Sequence, residues 1–375
     1  MRLHDYAPRP AHLKWLLDSD PAIRWQAMRD LTGGTPNAIA AERSRVATEG
    51  WGAQLLARQS PNAGDWGGGA KWDLITLWSL VVLKDLGLDP GSEQARKMID
   101  RVDKWLVFKP LNNRPFLYGE TEPCINGRIL AIGTYFKEAN DALANQLLDE
   151  QLEDGGWNCE APKSRRSSFH TTICVLEGLL EYERAGRGSA AVIKARKRAE
   201  DYLLERRMFR TLRTGEVIDK RWLRFSFPTF WHYDVLRGLD YLRNAGFKPD
   251  SRVGAAIEVV MERRHQNGAG RSTSFIPNIF HWRWRPVSAG QAAGTHSALS
   301  AFCVGTATQR GSCDWDSSRY RLGQRVAANL PFNVSPNVIG QTVRINGKPF
   351  TMVGVAPGKP NEFTSDAHLV CPVRS

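Results

Sequence analysis

Between about residues 10 and 268 the chain alternates two kinds of helix-period segment. One kind is apolar on every side: Trp72–Leu86, Cys124–Phe136, His170–Tyr182 and His232–Leu242. The other keeps its apolar residues to one face: Ser92–Phe108, Ala139–Leu152, Ala190–Arg207 and Ser251–Arg264. A helix that is apolar all round must be covered all round, whereas an amphipathic one can face water. The four couplets therefore predict an inner layer of the first kind inside an outer layer of the second, with no strand before residue 270. Repeated pairs of this sort either stack as an open solenoid or close into a double-layered barrel.

Ahead of the couplets, His12–Asp18 reads as a short amphipathic helix. A second helix starts at Asp20-Pro21, with Asp as N-cap and Pro at the first helical position, and stops at Gly33-Gly34. A long helix is predicted from Asn37 to Gln59. Two Gly-rich turns share a pattern, Gln59-x4-Gly64-x-Trp66 and Gln151-x3-Gly155-x-Trp157, and each follows an outer helix and precedes an inner one. The period fails beyond Gly268, and residues 269–319 read as an irregular linker. In the last segment, 320–375, Val338–Ile345 and Lys348–Pro357 flank Asn346-Gly347, a strong signal for a β-hairpin.

The chain's 375 residues, 42% hydrophobic and 24% charged, can bury a large core. Six cysteines without paired spacing fit free thiols in a reducing compartment. The sequence contains neither an N-terminal apolar signal region nor a run long enough to span a bilayer, so it reads as cytoplasmic without a stable membrane span. The net charge of +12 is spread over several helices and loops and comes with no nucleic-acid motif, so no nucleic-acid partner is expected.

Aligned on their first turns, the inner segments put Asp73, Cys124, His170 and His232 in one column, separated by 51, 46 and 62 residues. In a closed barrel that column lies on one rim. Carboxylate, thiolate and imidazole are zinc-ligand types. A lone His at a helix start is more often a packing residue, and a lone Cys a small hydrophobe, so the column argues only as a set. Two basic loops feed the same rim: Lys163, Arg165 and Arg166 before His170, and Lys220, Arg221 and Arg224 before His232. Helix N-termini pointing there would favour an anion, while solvated loop charge is the plainer reading. Trp72, Tyr118, Trp231 and Tyr233, with Phe116, Trp78, Phe225, Phe227 and Phe230, could line an apolar cavity or be ordinary core.

The two Gln-Gly-Trp turns, in phase with the couplets, resemble the QW motif of the terpenoid cyclase and protein prenyltransferase superfamily over residues 10–268. The resemblance implies an all-α fold, an α/α toroid, here lacking its last couplet, in residues 1–268, with the irregular tail carrying a small β-hairpin. Glu122-Pro-Cys124 and Ser168-Phe-His170-Thr-Thr are similar to the zinc-binding segments of prenyltransferase β subunits, with Glu in place of Asp. This implies a zinc site with Glu122, Cys124 and His170 as ligands and His232 or Cys159 as a further or alternative ligand. It further implies a transferase acting on an isoprenoid diphosphate or related apolar substrate, with the basic loops, Asp73 and the aromatic residues at the substrate. Squalene cyclisation is not expected, because no Asp-x-Asp-Asp acid motif occurs. Residues 320–375 resemble a periplasmic core segment of MacB-like ABC-transporter permeases, which reads as a fused or frame-shifted remnant. Three readings stay open: the zinc-dependent transferase, a non-catalytic toroid that binds a lipid or a protein partner, and a chimeric chain carrying a permease fragment.

Overall fold

The computed structural model describes residues 8, 10–67, 74–248 and 250–263, and the backbone alone of four strands, 272–274, 342–345, 348–352 and 370–372. The chain divides into two compact units, Met1–Thr306 and Ala307–Ser375.

The first unit is all-α in architecture, built from helices α1 (Pro10–Leu17), α2 (Pro21–Leu31), α3 (Pro36–Ser44), α4 (Gly50–Leu56), α5 (Leu74–Asp85), α6 (Glu93–Trp105), α7 (Pro123–Phe136), α8 (Asp141–Asp149), α9 (Phe169–Tyr182), α10 (Ala190–Glu205), α11 (Val235–Asn244) and α12 (Gly254–Glu262). Its described helices form an α/α toroid. The inner helices α5, α7, α9 and α11 surround one cavity, and α6, α8, α10 and α12 follow them as the outer layer. Caps set the starts: Ser92, Asn140, Ser168, Ser189 and Asp234 each accept a backbone N–H of the helix they precede.

The inner pair α7 and α9 meets backbone to backbone. A Cβ at Gly127 would lie 2.5 Å from the Cys174 carbonyl oxygen, and one at Gly178 would lie 2.3 Å from the Gly127 carbonyl oxygen. No side chain fits at either position, so the two helices approach as only glycine allows. Almost every residue of α7 and α9 is buried as a result, which is why both segments are apolar all round.

The Gln-Gly-Trp turns are built alike, bond for bond. Gln59 Nε2 donates to the Gly64 and Met98 carbonyls, both at 3.0 Å. Gln151 Nε2 donates to the Gly155 and Ala195 carbonyls, at 2.7 and 2.8 Å. Each glutamine thus ties its own turn to the middle of the next outer helix. Trp66 Nε1 donates to the Leu55 carbonyl at 2.7 Å and Trp157 Nε1 to the Leu147 carbonyl at 2.6 Å. Their backbone N–H groups donate to Thr76 and Thr172 on the inner helices. Gly64 and Gly155 take φ values of +71° and +97°, with the Arg101 and Arg198 carbonyls too close for any Cβ. A turn of this kind therefore locks three helices at one junction.

Several expected boundaries differ. The predicted helix from Asn37 to Gln59 is broken into α3, a 3-10 turn over Arg45–Ala47 and α4. The cause is Asp20, whose carboxylate accepts from Ala22 N–H at the start of α2 and from Trp51 N–H in the first turn of α4. One carboxylate cannot cap two helices unless the second one starts afresh beside it. Strands also occur before residue 270: β1 (Val107–Phe108) pairs antiparallel with β2 (Arg114–Pro115), and β3 (Phe225–Ser226) pairs parallel with β4 (Ser272–Ser274). Two-residue ladders are too short to leave an alternating pattern. In the second unit β5 (Thr342–Ile345), β6 (Lys348–Met352) and β7 (Val370–Pro372) form an antiparallel sheet. Ile345 pairs with Lys348, so the two strands that the sequence predicts on either side of residues 346–347 do pair. No described helix is long and apolar enough to cross a membrane.

Candidate functional site

Cys124 and His170 occupy the second positions of α7 and α9, so this part of the predicted column holds. His232 does not start an inner helix. It lies two residues ahead of the Asp234 cap, in a turn where its N–H donates to the Thr229 carbonyl, because Asp234 can accept the Arg237 N–H and His232 cannot serve that role. Asp73 and Trp72 lie outside the described residues.

The rim gathers the candidate ligands into two groups. In the first, donor atoms of Glu122, Cys124 and Cys159 all lie within 4.8 Å of one another. Cys124 Sγ is 3.6 Å from Glu122 Oε2, and Cys159 Sγ is 3.3 Å from the Thr171 hydroxyl. The hydrogen bond between the thiols, and then burial, hold Cys124 above the ordinary thiol range. The same bond, with help from Thr171 and against burial, holds Cys159 below it, so of the two thiols Cys159 gives up its proton the more readily. His170 and His232 are not members of this cluster.

Those two histidines form the second group. His170 Nδ1 accepts the Tyr233 N–H at 2.7 Å, which puts the proton of the neutral ring on Nε2. Its ring stands 5.6 Å from His232 and 5.5 Å from Trp231, and Trp231 stacks on His232 at 3.7 Å. Burial, then His232 and Arg237, lower His170 to about 4. Burial, then Arg237 and Arg221, lower His232 to about 4 as well. Both rings are neutral at pH 7.

The cluster has a foundation that no motif announced. The buried Glu120 carboxylate accepts from Thr121 N–H and from Glu122 N–H at 2.8 Å. The Asn126 side chain accepts from Glu120 N–H at 2.7 Å and donates to the Glu120 carbonyl at 2.9 Å. These bonds fold residues 120–122 back onto the first turn of α7 and bring Glu122 beside Cys124. A buried Glu two residues ahead of a Glu-Pro-Cys helix start was the available signal.

The basic loops remain at the surface: Lys163, Arg165, Arg166, Lys220, Arg221 and Arg224 are all exposed. Arg221 is neutralised in place by Asp219 at 2.6 Å. The aromatic residues split. Tyr118 and Trp231 are 56% and 39% exposed, whereas Trp78, Phe225, Phe230 and Tyr233 are fully buried core.

The cavity between the inner helices is ionic. It is lined by Lys84, Asp85, Arg128, Glu177, Glu181, Asp234 and Arg237 beside a few aliphatic side chains. Glu177 holds Arg237 at 2.8 Å and pairs with Arg128. Arg128 also donates to the Phe230 carbonyl at 2.6 Å, and Arg237 donates to the His232 carbonyl at 2.5 Å. This network joins α7, α9 and α11 to the loop that carries Trp231 and His232. Charges at single interior positions of otherwise apolar segments were its only sequence trace.

The donor set suits zinc. Two sulfurs and a carboxylate oxygen within this reach would be able to hold one such ion, the softer sulfurs with the oxygen being donor types that zinc takes. Cys124 and Cys159 are only partly buried, so the cluster can be reached from solvent.

No protein-family profile and no curated protein matches the chain. Among solved structures it is similar to a type II terpene cyclase, MstE, from Scytonema. An apo form is 18% identical with a TM-score of 0.36, covering 69% of this chain and 80% of that one. A form in complex with its product, merosterolic acid A, is 17% identical with a TM-score of 0.35, covering 69% and 83%. A likeness at that level decides neither architecture nor chemistry, and both rest on the helices and side chains described above.

Proposed function

We propose that the chain is a zinc-dependent transferase that acts at the rim of its toroid on an isoprenoid diphosphate or a related substrate with an apolar chain. The observation that supports this is the cluster of Glu122, Cys124 and Cys159, with donor atoms within 4.8 Å of one another at the start of an inner helix. Zinc bound there would supply a lowered pKa for a coordinated thiol or water. Glu122 and the two cysteines would hold the ion, and Thr171 and Glu120 would keep Cys159 and Glu122 in place. Lys163, Arg165 and Arg166, on the loop that follows Cys159, would meet the diphosphate together with the free N–H groups at the start of α9. Exposed Tyr118 and Trp231 offer apolar surface to the chain.

The ionic lumen favours a second reading, a non-catalytic toroid that binds a lipid or a protein, since Arg128, Glu177 and Arg237 leave poor surroundings for a polyprenyl tail. Zinc-loaded protein mixed with an allylic isoprenoid diphosphate and a small thiol as acceptor separates the two. Transferase chemistry releases pyrophosphate only with zinc present and only with both cysteines intact. Saturable binding without pyrophosphate release, indifferent to chelation, would establish the second reading and end the first.

A further inference from the structure

The inner helices run in one direction, so the end of the barrel opposite the cysteines is made of their C-termini. There α2 and α3 lie across the mouth. Trp25 Nε1 donates to the Leu86 carbonyl at 3.0 Å, and Arg43 donates to the Gly87 carbonyl at 2.9 Å and to the Tyr135 hydroxyl at 2.7 Å. Between this cover and the ends of α5, α9 and α11 lies a cleft of about 620 Å³. It shares Lys84, Asp85, Glu181, Arg184, Asp240 and Asn244 with the lumen above it. That is room for a small metabolite.

Most charges around the cleft are already matched. Lys84 pairs with Glu181 at 2.9 Å, Arg243 with Asp240 at 3.1 Å, and Arg29 with Asp30 at 2.6 Å. Three are left over among the described residues. Arg43 spends its hydrogen bonds on the uncharged Gly87 and Tyr135 oxygens. Arg184 donates only to the Asn244 carbonyl. The Asp85 carboxylate faces both cavities and has neither a hydrogen bond nor an ion pair. Burial raises it above the ordinary carboxyl range, although Lys84, Arg128 and Arg237 act on it in the other direction from a distance. A cleft presenting one unmatched acid and two unmatched guanidiniums is complementary to a ligand of the opposite arrangement.

We propose that this cleft binds a small zwitterion, with its ammonium group at Asp85 and its carboxylate or phosphate at Arg43 and Arg184. The site is separate from the rim cluster and does not depend on any metal there. A guanidinium takes carboxylate and phosphate through the same planar fork, so the anionic end is defined by charge and shape rather than by element.

Calorimetric titration of the full chain tests this with γ-aminobutyrate and phosphoethanolamine as zwitterions, and with butyrate, ethylamine and inorganic phosphate as single-charge probes. At least one zwitterion is expected to bind about tenfold or more tightly than either matching single-charge probe. The better of γ-aminobutyrate and phosphoethanolamine then identifies a carboxylate or a phosphate end. Asp85→Asn is expected to remove that advantage. Arg184→Gln, at an exposed position with no ion pair, keeps the test open if the Asp85 variant fails to fold, and it is expected to weaken binding about tenfold. Butyrate or phosphate binding as tightly as its zwitterion, zwitterion binding unchanged in Arg184→Gln, or no saturable zwitterion binding would each overturn the proposal.

Discussion

Glu177→Gln perturbs the ionic lumen at its centre. In the wild type, burial pushes the Glu177 carboxyl up, but Arg128 and Arg237 outweigh it and bring the group down to about 2 from an ordinary 4.5. A shift of that size corresponds to about 3 kcal/mol of folding stability at neutral pH. Independently, breaking a buried ion pair from one side costs about 3 to 5 kcal/mol, because the partner charges are left uncompensated. Here two guanidiniums, on α7 and α11, would be stranded together. The two routes agree, so Glu177→Gln should lose about 3 kcal/mol at pH 7. The sign with pH follows from the lowered carboxyl: the contribution is complete above the unfolded value of 4.5 and fades as pH falls toward about 2. Urea unfolding followed by far-UV circular dichroism, at pH 7 and again near pH 3, measures both. The gap between wild type and variant should narrow at the lower pH. A loss under about 1 kcal/mol, or a gap independent of pH, would refute the claim that this triad holds the inner helices together.

Gln151→Ala deletes bonds to the Gly155 and Ala195 carbonyls, and a melting experiment should show a loss of about 1 to 2 kcal/mol, matched by Gln59→Ala at the equivalent junction. Gly178→Ala drives a methyl into the Gly127 carbonyl, and the same assay should show a loss of about 1 to 3 kcal/mol or more, with the α7–α9 pair forced apart. His170 and His232 should titrate by proton NMR with midpoints near 4. Because these folded values lie below the unfolded one of 6.5, stability should fall as pH drops from there toward 4, and midpoints near 6.5 would contradict the buried rim.

The layering was legible because burial on all sides leaves an unbroken apolar run, as in Ile173–Leu176, and the junctions were legible because Gln and Trp each supply a side-chain bond there and Gly a left-handed turn with no room for a Cβ. The pairing of Cys124 with Cys159 was harder to read. They are 35 residues apart, and Cys159 reaches the rim from a loop that no helical period describes. The charged lumen was missed for a related reason. Arg128, Glu177 and Arg237 look like interruptions of apolar helices when read singly, and only their convergence from three helices shows that each satisfies the others. His232 was misplaced because its aromatic neighbours mimic an apolar helix start, whereas the cap two residues later sets the boundary.

The rim cluster carries the functional account, and metal content tests it directly. Protein purified without added chelator, with zinc supplied in the growth medium, is dialysed and assayed by plasma mass spectrometry beside Cys124→Ser and Cys159→Ser. About one equivalent of zinc is expected in the wild type, and its loss from both variants while their helical signal persists. Less than about 0.2 equivalents in the wild type, or the same zinc content in all three proteins, would contradict that expectation.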